Sequence, residues 1–415
     1  MRALVLSFLL AAMPALAADE DAAALSLADQ TTAKPESSTD WRVFTEAAVR
    51  ESTGRATGAV LHQGRLSFDV RYDGSLGSGW RAVFADRLDL NRTSHGAGTT
   101  EINTLKEAYL SWQAAPDLAA DFGRVNVRHG VALGYNPTDF FRAGALRSIV
   151  SIDPASLREN RLGSVMLRGQ KLWDSGSATA IYSPKLADRP DTGAYSVDLG
   201  ATNQRERWLV ALSQKLSEQV SPQFLLSGGT GQSAQLGFNV TALLGNATVA
   251  FAEWSGGRAP SLLTRALALA DDSALRSRLS TGLTYTTGSN VSLTLEYEHN
   301  GAGLDRSGWD ALRRGPPAAY AAYRSFAANL QEPVTRNNVF VHAIWTDAMV
   351  KHFDLAAMVR YNAADHSRLQ WLEARYHWTR VDLALQTQLN TGRPLSEFGA
   401  SAERHISQVL VRYFF

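Results

Sequence analysis

The chain has 415 residues, and 41 Lys and Arg stand against 40 Asp and Glu, so its formal net charge is +1. A nearly neutral chain argues against a dedicated nucleic-acid binder, which concentrates positive charge. The sequence contains no cysteine, which rules out a disulfide scaffold and thiolate chemistry.

The first residues predict a signal peptide over 1–17. A short positive start, Met1-Arg2, precedes an apolar run from Ala3 to Ala12 that is too short to span a bilayer. Ala15-Leu16-Ala17 then supplies a cleavage site with small residues at its first and third positions. The next segment, 18–40, is rich in small, hydroxyl and acidic residues without any period, and we expect a disordered periplasmic leader there.

From Trp41 onward, segments of about ten residues with a period of two alternate with turns and loops. Short and long connections alternate, which is typical of a barrel with short periplasmic turns and long outer loops. We therefore predict that 41–415 is an all-β, transmembrane, antiparallel up-and-down β-barrel of about 18 strands, with about 16 as the alternative. The predicted strands are 41–51, 65–73, 80–90, 105–112, 121–128, 162–173, 178–183, 207–214, 223–229, 235–243, 247–255, 279–287, 291–300, 339–345, 353–361, 369–378, 381–390 and 405–415.

The third predicted strand carries one exception to its pattern. Asp86 falls on the same face as the apolar residues around it. In the fifth strand, Arg124, Asn126 and Arg128 alternate with glycine and valines. This alternation predicts that both arginines lie on the face opposite the apolar one.

The segment after the fifth predicted strand is long and apolar for an exposed loop. Leu133, Tyr135, Phe140 and Phe141 would not be left in water, so we predict that the segment folds into the barrel and narrows it. In this interpretation, the residues that face the passage are Asp139, Arg142, Arg147 and Asp153. The alternative is a loop that only caps the rim.

Two later loops are predicted to contain helices. The segment 262–279 suits a short surface helix, and Pro316-Pro317 precedes an alanine- and tyrosine-rich run over 318–329 that suits a second one. We interpret both as packing elements rather than sites.

Aromatic residues recur near the ends of the predicted strands, where an interfacial girdle is expected in a membrane barrel. The alternative is the core of an ordinary sandwich, which would need two unusually large sheets. The residues concerned are Trp41, Trp80, Trp112, Trp173, Trp254, Trp345, Trp378 and Tyr413.

A barrel this wide leaves an aqueous lumen unless loops fill it. Its predicted charged lining could set up a transverse field that favours polar or charged solutes, or could pair internally and brace the wall. We predict that the following residues line or constrict the pore and contact the solute: Arg71, Arg124, Asn126, Arg128, Asp139, Arg142, Arg360 and Arg375. A slight excess of arginine before Arg128 favours anionic or carbohydrate-like solutes.

The closing strand ends the sequence on an apolar aromatic residue. Val409, Val411, Tyr413 and Phe415 share one face and are predicted to contact lipid, whereas Arg412 is predicted to face the lumen. For the barrel to close, this strand has to pair with the first one.

The signal peptide, the alternating strands and the terminal Val411-Arg412-Tyr413-Phe414-Phe415 resemble the Gram-negative outer-membrane porin class. Leu105 to Trp112, followed by Phe122-Gly123-Arg124, is similar to a strand pair of alginate-export-type porins. The resemblance implies a bacterial outer-membrane channel for passive passage of polar solutes, with lumenal arginines that attract anionic sugars or polysaccharide. It also implies contact with outer-membrane lipid and with the barrel assembly machinery.

The alternative function is a structural or adhesive barrel with partner-binding loops. An outer-membrane enzyme is a further alternative, but the histidines are scattered and form no coherent catalytic triad. We expect no cofactor, no metal and no nucleic-acid partner, and the sequence leaves the oligomeric state open.

Overall fold

The computed structural model describes residues 40–93 and 99–415, so the predicted signal peptide and almost all of the predicted leader lie outside the described residues. The strands are β1 Trp41–Gly54, β2 Val60–Gly77, β3 Trp80–Thr93, β4 Thr99–Ala115, β5 Leu118–Val125, β6 Ser164–Trp173, β7 Gly176–Ser183, β8 Arg207–Gln214, β9 Val220–Gly229, β10 Gln232–Leu243, β11 Thr248–Ala259, β12 Ala274–Thr286, β13 Val291–Asn300, β14 Asn337–Trp345, β15 Phe353–Asn362, β16 Arg368–His377, β17 Val381–Thr391 and β18 Glu403–Phe414. The helices are α1 Pro154–Glu159, α2 Leu199–Thr202, α3 Leu262–Leu267, α4 Arg306–Arg314 and α5 Pro317–Asn329.

All strands belong to one 18-stranded sheet in which each strand pairs antiparallel with its neighbours in sequence, and β1 also pairs with β18. The sheet is therefore a closed up-and-down barrel, as predicted. In β13, Leu293, Leu295 and Tyr297 are exposed on the outer face, while Glu296 and Glu298 are buried inside. None of the helices in the described part of the chain is long and apolar enough to cross a bilayer.

The barrel closes where the first and last strands meet. Phe44 lies opposite Phe414, and Glu46 lies opposite Arg412. Arg412 Nη2 donates to Glu46 Oε2 at 2.8 Å inside the barrel, while Phe415 is 74% exposed on the outside. The predicted facing of the closing strand and its pairing with the first strand are both confirmed.

Short turns join β2 to β3, β4 to β5 and the later even strands to the next odd strands, at the end of the barrel where β1 begins and β18 ends. In barrels of this kind, this is the periplasmic end. At the other end, the connections after β5, β7, β11, β13 and β17 have 11 or more residues, but those after β1, β9 and β15 have five or fewer. The predicted alternation of short and long connections is therefore confirmed for only part of the barrel.

The predicted aromatic girdle is present at the short-turn end. Trp80 and Trp112 are exposed there and stack with 5.9 Å between their ring centroids, and Trp41 packs on Tyr72 at 4.8 Å. Trp254 is the exception, because it lies in the middle of β11 opposite Phe238 and Leu279 of the neighbouring strands.

The fifth strand is shorter than predicted, because β5 ends at Val125. Asn126 and Arg128 therefore lie outside the strand, and Val125 and Val127 are buried in an apolar cluster instead of facing lipid. Close to this end of the strand, Gly123 has a φ of +134°, which suits glycine alone, and a Cβ there would lie 2.3 Å from the Ala108 carbonyl oxygen.

Helices α3, α4 and α5 pack together at the long-loop end around Trp309, Tyr323 and Leu262. The predicted helices over 262–279 and 318–329 are thus confirmed as α3 and α5. Helix α4 begins at Asp305, whose side chain accepts a hydrogen bond from Gly308 N at 2.8 Å and so satisfies a free amide of the first turn.

Candidate solute passage

The segment between β5 and β6, residues 126–163, is called the inserted loop because it lies inside the barrel. Glu253, on the inner face of β11, accepts hydrogen bonds from Val131 N at 3.0 Å and Ala132 N at 3.2 Å. The same carboxylate accepts from Thr138 N at 2.8 Å and Thr138 Oγ1 at 2.9 Å. A single wall residue therefore satisfies several amides that the loop would otherwise bury unpaired.

A second wall carboxylate holds the next part of the inserted loop. Glu296 of β13 accepts from the amides of Leu133, Gly134 and Tyr135 at 3.0, 3.1 and 3.0 Å. Gly134 sits so close to the wall that a Cβ would lie 2.6 Å from Cγ of Phe340. The loop therefore follows the inner surface of β11 to β14.

Apolar side chains of the inserted loop contact apolar patches of the inner wall. Phe141 packs with Val127 against residues of β6 to β9, namely Met166, Ile181, Leu209, Ala211 and Leu225. Leu133 packs against Phe340, Met358 and Trp371 of β14 to β16. Burial of these patches is the main apolar gain from insertion of the loop, since the rest of the lumen is largely polar.

The far part of the inserted loop reaches the opposite wall. Ser148 Oγ donates to Asp89 of β3 at 2.7 Å, and Glu159 forms an ion pair with Arg42 of β1. Between these contacts, Ile149 is 59% exposed, so this section borders accessible space. The loop crosses the lumen, as predicted, and the alternative of a loop that only caps the rim is wrong.

The inserted loop is also tied to the outer helices. Arg142 Nη2 donates to Glu332 Oε1 at 2.7 Å, and Tyr135 Oη donates to Glu332 Oε2 at 2.6 Å. Arg278 of β12 completes the group at 3.1 Å from the same carboxylate. Burial raises the pKa of Glu332, but the charges of Arg278 and Arg142 outweigh burial and hold its pKa below the ordinary value.

Several predicted solute-contacting residues form ion pairs on the wall. Arg71 Nη1 lies 2.5 Å from Glu107 Oε2, and Arg375 Nε lies 2.8 Å from Glu373 Oε1. Each of these pairs lies within one wall rather than across the lumen.

Glu46 of β1 is the centre of a larger network of this kind. Its carboxylate lies 2.7 Å from Arg65 Nη2, 2.9 Å from Arg87 Nη2 and 2.8 Å from Arg412 Nη2. All four residues belong to the adjoining strands β18 and β1 to β3. Such pairs fit the interpretation that they brace the wall.

Two further predicted residues, Asn126 and Asp139, are engaged within the inserted loop, and a third, Arg124, bonds β4. Asn126 Oδ1 accepts from Arg161 Nε at 2.6 Å, and the same arginine donates to Asp139 Oδ2 at 2.5 Å. Arg124 Nη1 donates to the Leu105 carbonyl at 3.2 Å, whereas its buried Nη2 has no hydrogen-bond partner among residues 40–93 and 99–415.

The remaining predicted residues differ in whether their guanidinium groups make hydrogen bonds. Arg142 is fully engaged with Glu332, and Arg360 Nη2 donates to the Gly134 carbonyl at 3.0 Å. Arg128 makes no hydrogen bond or ion pair within residues 40–93 and 99–415. Burial lowers the pKa of Arg128, and the charge of Arg161 lowers it further. Of the eight predicted residues, Arg128 thus presents an unengaged guanidinium on the inserted loop.

A cavity of about 330 Å³ lies beside the inserted loop on the long-loop side. Three arginines line it, and Asp198 is the acidic residue among its lining residues. Arg147 Nη1 donates to Asp198 Oδ2 at 2.8 Å. Arg207 stacks on Phe141 with 4.5 Å between its guanidinium carbon and the ring centroid. Arg205 has no hydrogen-bond or ion-pair partner in the described part of the chain, and burial lowers its pKa.

Sequence patterns did not single out Arg205 and Arg207. They flank Glu206 in a charged run at the start of the predicted strand 207–214, and such a run is normally a solvated strand end. Glu253 and Glu332 were also missed. Glu253 did carry a signal, because a carboxylate between apolar residues of a strand calls for a partner on the inner face.

The comparisons with known proteins concern the fold. No family model and no curated protein matches the sequence. Among solved structures, Pseudomonas aeruginosa OccK7 (OpdD) has a TM-score of 0.56 at 10% identity, over 90% of this chain and 98% of that chain. Acinetobacter baumannii OccAB1 has a TM-score of 0.56 at 8% identity, over 92% and 98%. Pseudomonas aeruginosa OccK2 (OpdF), solved in complex with glucuronate, has a TM-score of 0.54 at 7% identity, over 91% and 97%. At these identities the likeness is one of fold.

Proposed function

We propose that this chain, which has the fold of Gram-negative outer-membrane β-barrel porins, is a passive channel for polar solutes that prefers small anions. The observation that carries the proposal is the cavity beside the inserted loop, where Arg147, Arg205 and Arg207 converge. Asp198 neutralises Arg147, but Arg205 keeps its charge without a partner in the described residues. A carboxylate would give this guanidinium the hydrogen bonds that it lacks.

The size of the cavity favours a small solute. Its volume of about 330 Å³ is at the lower end of the range of about 300–1,000 Å³ that is usual for small-molecule sites. Since the inserted loop crosses the lumen, we propose single sugar acids or short carboxylates rather than long polysaccharide as cargo. The complex of OccK2 (OpdF) with glucuronate makes uronates the first class to test.

Arg128 extends the proposal to a second position. It lies on the inserted loop with its guanidinium unengaged in the described residues, so it offers a separate positive charge along the passage. Two separated sites of moderate strength suit passage better than one tight site, because a solute has to leave as well as enter.

The test is conductance of the purified protein in planar bilayers with glucuronate added to one side. We expect open channels whose current glucuronate reduces. In Arg205→Gln, the glucuronate concentration needed for half block should rise about tenfold, the equivalent of about 1.4 kcal/mol.

Arg368→Gln is the matched control, because Arg368 is an exposed arginine on the outer face of β16. Glucuronate should block Arg368→Gln at the same concentration as the unmodified protein. If the concentration for half block were the same in Arg205→Gln and Arg368→Gln, the cavity would not be the binding site. If the protein conducts no current at any voltage, the channel hypothesis is wrong and a structural or adhesive barrel is favoured.

A further inference from the structure

The barrel wall is incomplete beside β4. β4 has 17 residues and β5 has 8, and β5 pairs with β4 only from Ala108 toward the short-turn end. The next strand, β6, begins at Ser164, opposite Val125. Gly163 N, next to β6, donates to the Lys106 carbonyl at 2.9 Å, so residues 99–105 of β4 have no strand partner on this side within the described residues. This break in the wall is called the wall gap.

The segment 184–206, between β7 and β8, lies across the wall gap and is called the gap segment. A main-chain hydrogen bond from Asn103 N to the Ala194 carbonyl, 2.8 Å long, joins it to β4. From the inside, Arg147 donates to the Asp191 carbonyl at 2.9 Å and also to the Gly193 carbonyl. These hydrogen bonds hold the middle of the gap segment, residues 188–197, whereas its C-terminal part is anchored by Arg147 on Asp198 and by the buried Asn203, which bonds Val165 of β6. The middle therefore lacks the continuous ladder found elsewhere in the wall.

The gap segment exposes apolar residues among charged ones. Tyr195 is 64% exposed, Leu186 and Val197 are also exposed, and so are Lys185, Asp188, Arg189 and Asp191. The outer face of β3 beside the gap carries Asp86, Leu88 and Leu90, which lie opposite Leu105, Asn103 and Glu101 of β4. The leucines place the wall gap at the long-loop edge of the apolar band.

A polar pair on the outer face marks the same place. Asp86 of β3, which points outward among apolar neighbours, accepts a hydrogen bond from Asn103 Nδ2 at 3.1 Å. A carboxylate that faces acyl chains alone is costly. Its position beside the wall gap therefore indicates that polar groups reach this part of the outer surface.

The arginine cavity lies directly behind the wall gap. Ile102 of β4 lines one side, and Pro190 of the gap segment lines another. Leu146 and Leu330 add further apolar surface, next to Arg205. Apolar surface beside a desolvated cation suits an amphipathic anion, whose head pairs with the cation while its tail stays out of water.

We propose that the wall gap is a lateral port between the lumen and the outer leaflet, and that the arginine cavity binds the carboxylate of a long-chain carboxylic acid. The acyl chain leaves the barrel through the wall gap, beside the gap segment, and enters the lipid. The port shares the arginine cavity with the proposed function, but it does not require conduction along the barrel axis.

The first test is a chain-length series of ligands. Binding of acetate, hexanoate and dodecanoate to the purified protein in detergent is measured by isothermal titration calorimetry, which needs no open channel. If the tail lies in an apolar passage, affinity should rise by about fourfold per methylene between hexanoate and dodecanoate, the ratio that corresponds to burial of one methylene group. An affinity that does not depend on chain length would overturn the proposal.

The second test closes the port. Because the sequence contains no cysteine, Asn103→Cys with Ala194→Cys introduces a single disulfide across the wall gap. In the oxidised protein, the added affinity of dodecanoate over hexanoate should disappear, and reduction should restore it. The reduced form of the same protein serves as the folding control.

Ala82→Cys with Leu110→Cys is the matched control, because these residues face each other in the intact β3–β4 wall. This disulfide should leave the chain-length series unchanged. A series that is identical in the oxidised and reduced forms of the gap variant would refute the port. Block by glucuronate in both forms would leave the proposed function standing, so the two proposals fail separately.

Discussion

Thr138 and Glu253 are 115 residues apart in sequence, yet the amide and the hydroxyl of Thr138 both donate to the same carboxylate oxygen, at 2.8 and 2.9 Å. This contact places the turn of the inserted loop against the wall of β11. A loop held through its main chain keeps its position even if its side chains change, which makes Glu253 more informative to alter than the loop residues.

Glu253→Ala should release this part of the inserted loop. The change leaves the amides of Val131, Ala132 and Thr138 buried without an acceptor, and each buried unpaired donor costs about 1–3 kcal/mol. We expect a loss of stability on the order of 3 kcal/mol, or a loop that swings away and gives noisier and larger single-channel currents. Glu218→Ala, on an exposed turn, should change neither the melting temperature nor the currents.

Arg142 and Glu332 should be energetically coupled. Removal of one partner leaves the other charge buried, which typically costs about 3–5 kcal/mol. In a double-mutant cycle with Arg142→Met and Glu332→Gln, the double variant should lose less than the sum of the single variants, by about 1–3 kcal/mol. Denaturant unfolding in detergent measures the cycle. The exposed Lys185–Asp188 pair should show no measurable coupling. If the effects of Arg142→Met and Glu332→Gln simply add, the two residues do not act together in holding the inserted loop.

The raised pKa of Glu397 predicts that the stability of the protein falls as pH rises. It lies between β17 and β18, where burial raises its pKa from 4.5 to about 7 despite a hydrogen bond from Asn362. Since the folded state holds this proton more tightly than the unfolded state does, the contribution of Glu397 to stability falls as pH rises from about 4.5 to about 7.

The matching variant for this pH effect is Glu397→Gln. It keeps an oxygen for Asn362 and removes the titration, so its melting temperature should exceed that of the unmodified protein at pH 8 but not at pH 4. Thermal unfolding at both pH values measures the effect. If the two proteins differ in melting temperature by the same amount at pH 4 and at pH 8, titration of Glu397 does not cause the pH dependence.

Arg128 should contribute to anion preference. Its guanidinium is unengaged within the described residues, so Arg128→Gln removes a free positive charge, while Arg128→Lys keeps it. Under a salt gradient, the reversal potential of Arg128→Gln should shift toward cation preference, and that of Arg128→Lys should stay close to the original value. Equal shifts in both variants would show that charge at this position is not what matters.

Deletion of Phe415 should lower the amount of assembled barrel. Its amide donates to the Val43 carbonyl of β1 at 3.1 Å and so extends the β1–β18 seam, while its ring packs edge-on against Tyr413 of its own strand at 5.2 Å. Heat-modifiable migration of outer-membrane fractions on gels measures assembly. Phe415→Tyr, which keeps the ring and the amide, should assemble normally; unchanged assembly of the deletion would remove the proposed role.

Strands were predictable because the membrane imposes a local rule on every residue of the wall. The alternation in Leu293, Leu295 and Tyr297 is visible in sequence since each side chain faces either lipid or lumen. The error at Val125 arose where this rule stops. Val127 continues the alternation of β5, but the apolar side chains that bury it come from Phe141 and from β6 to β9, which leave no local trace in the sequence around Val127.

The candidate site was predicted less completely, because its geometry depends on contacts between distant segments. The apolar character of the inserted loop indicated that it leaves water, yet its anchor at Glu253 is fixed only once the chain has folded. Likewise, a free arginine cannot be told from a paired one by sequence. Arg71 and Arg128 both follow the strand pattern, but Glu107 engages the first, while the second is unengaged in the described residues.

The seam between β1 and β18 has a kinetic consequence. Glu46 and Arg412 are 366 residues apart, so the contact that closes the sheet is of very high contact order and can form only after the last strand has been made. Until then both edge strands carry unpaired main-chain groups that can pair with other chains. Aggregation therefore competes with closure throughout synthesis and export, and a partner that covers these two edges would shift the outcome toward the closed barrel.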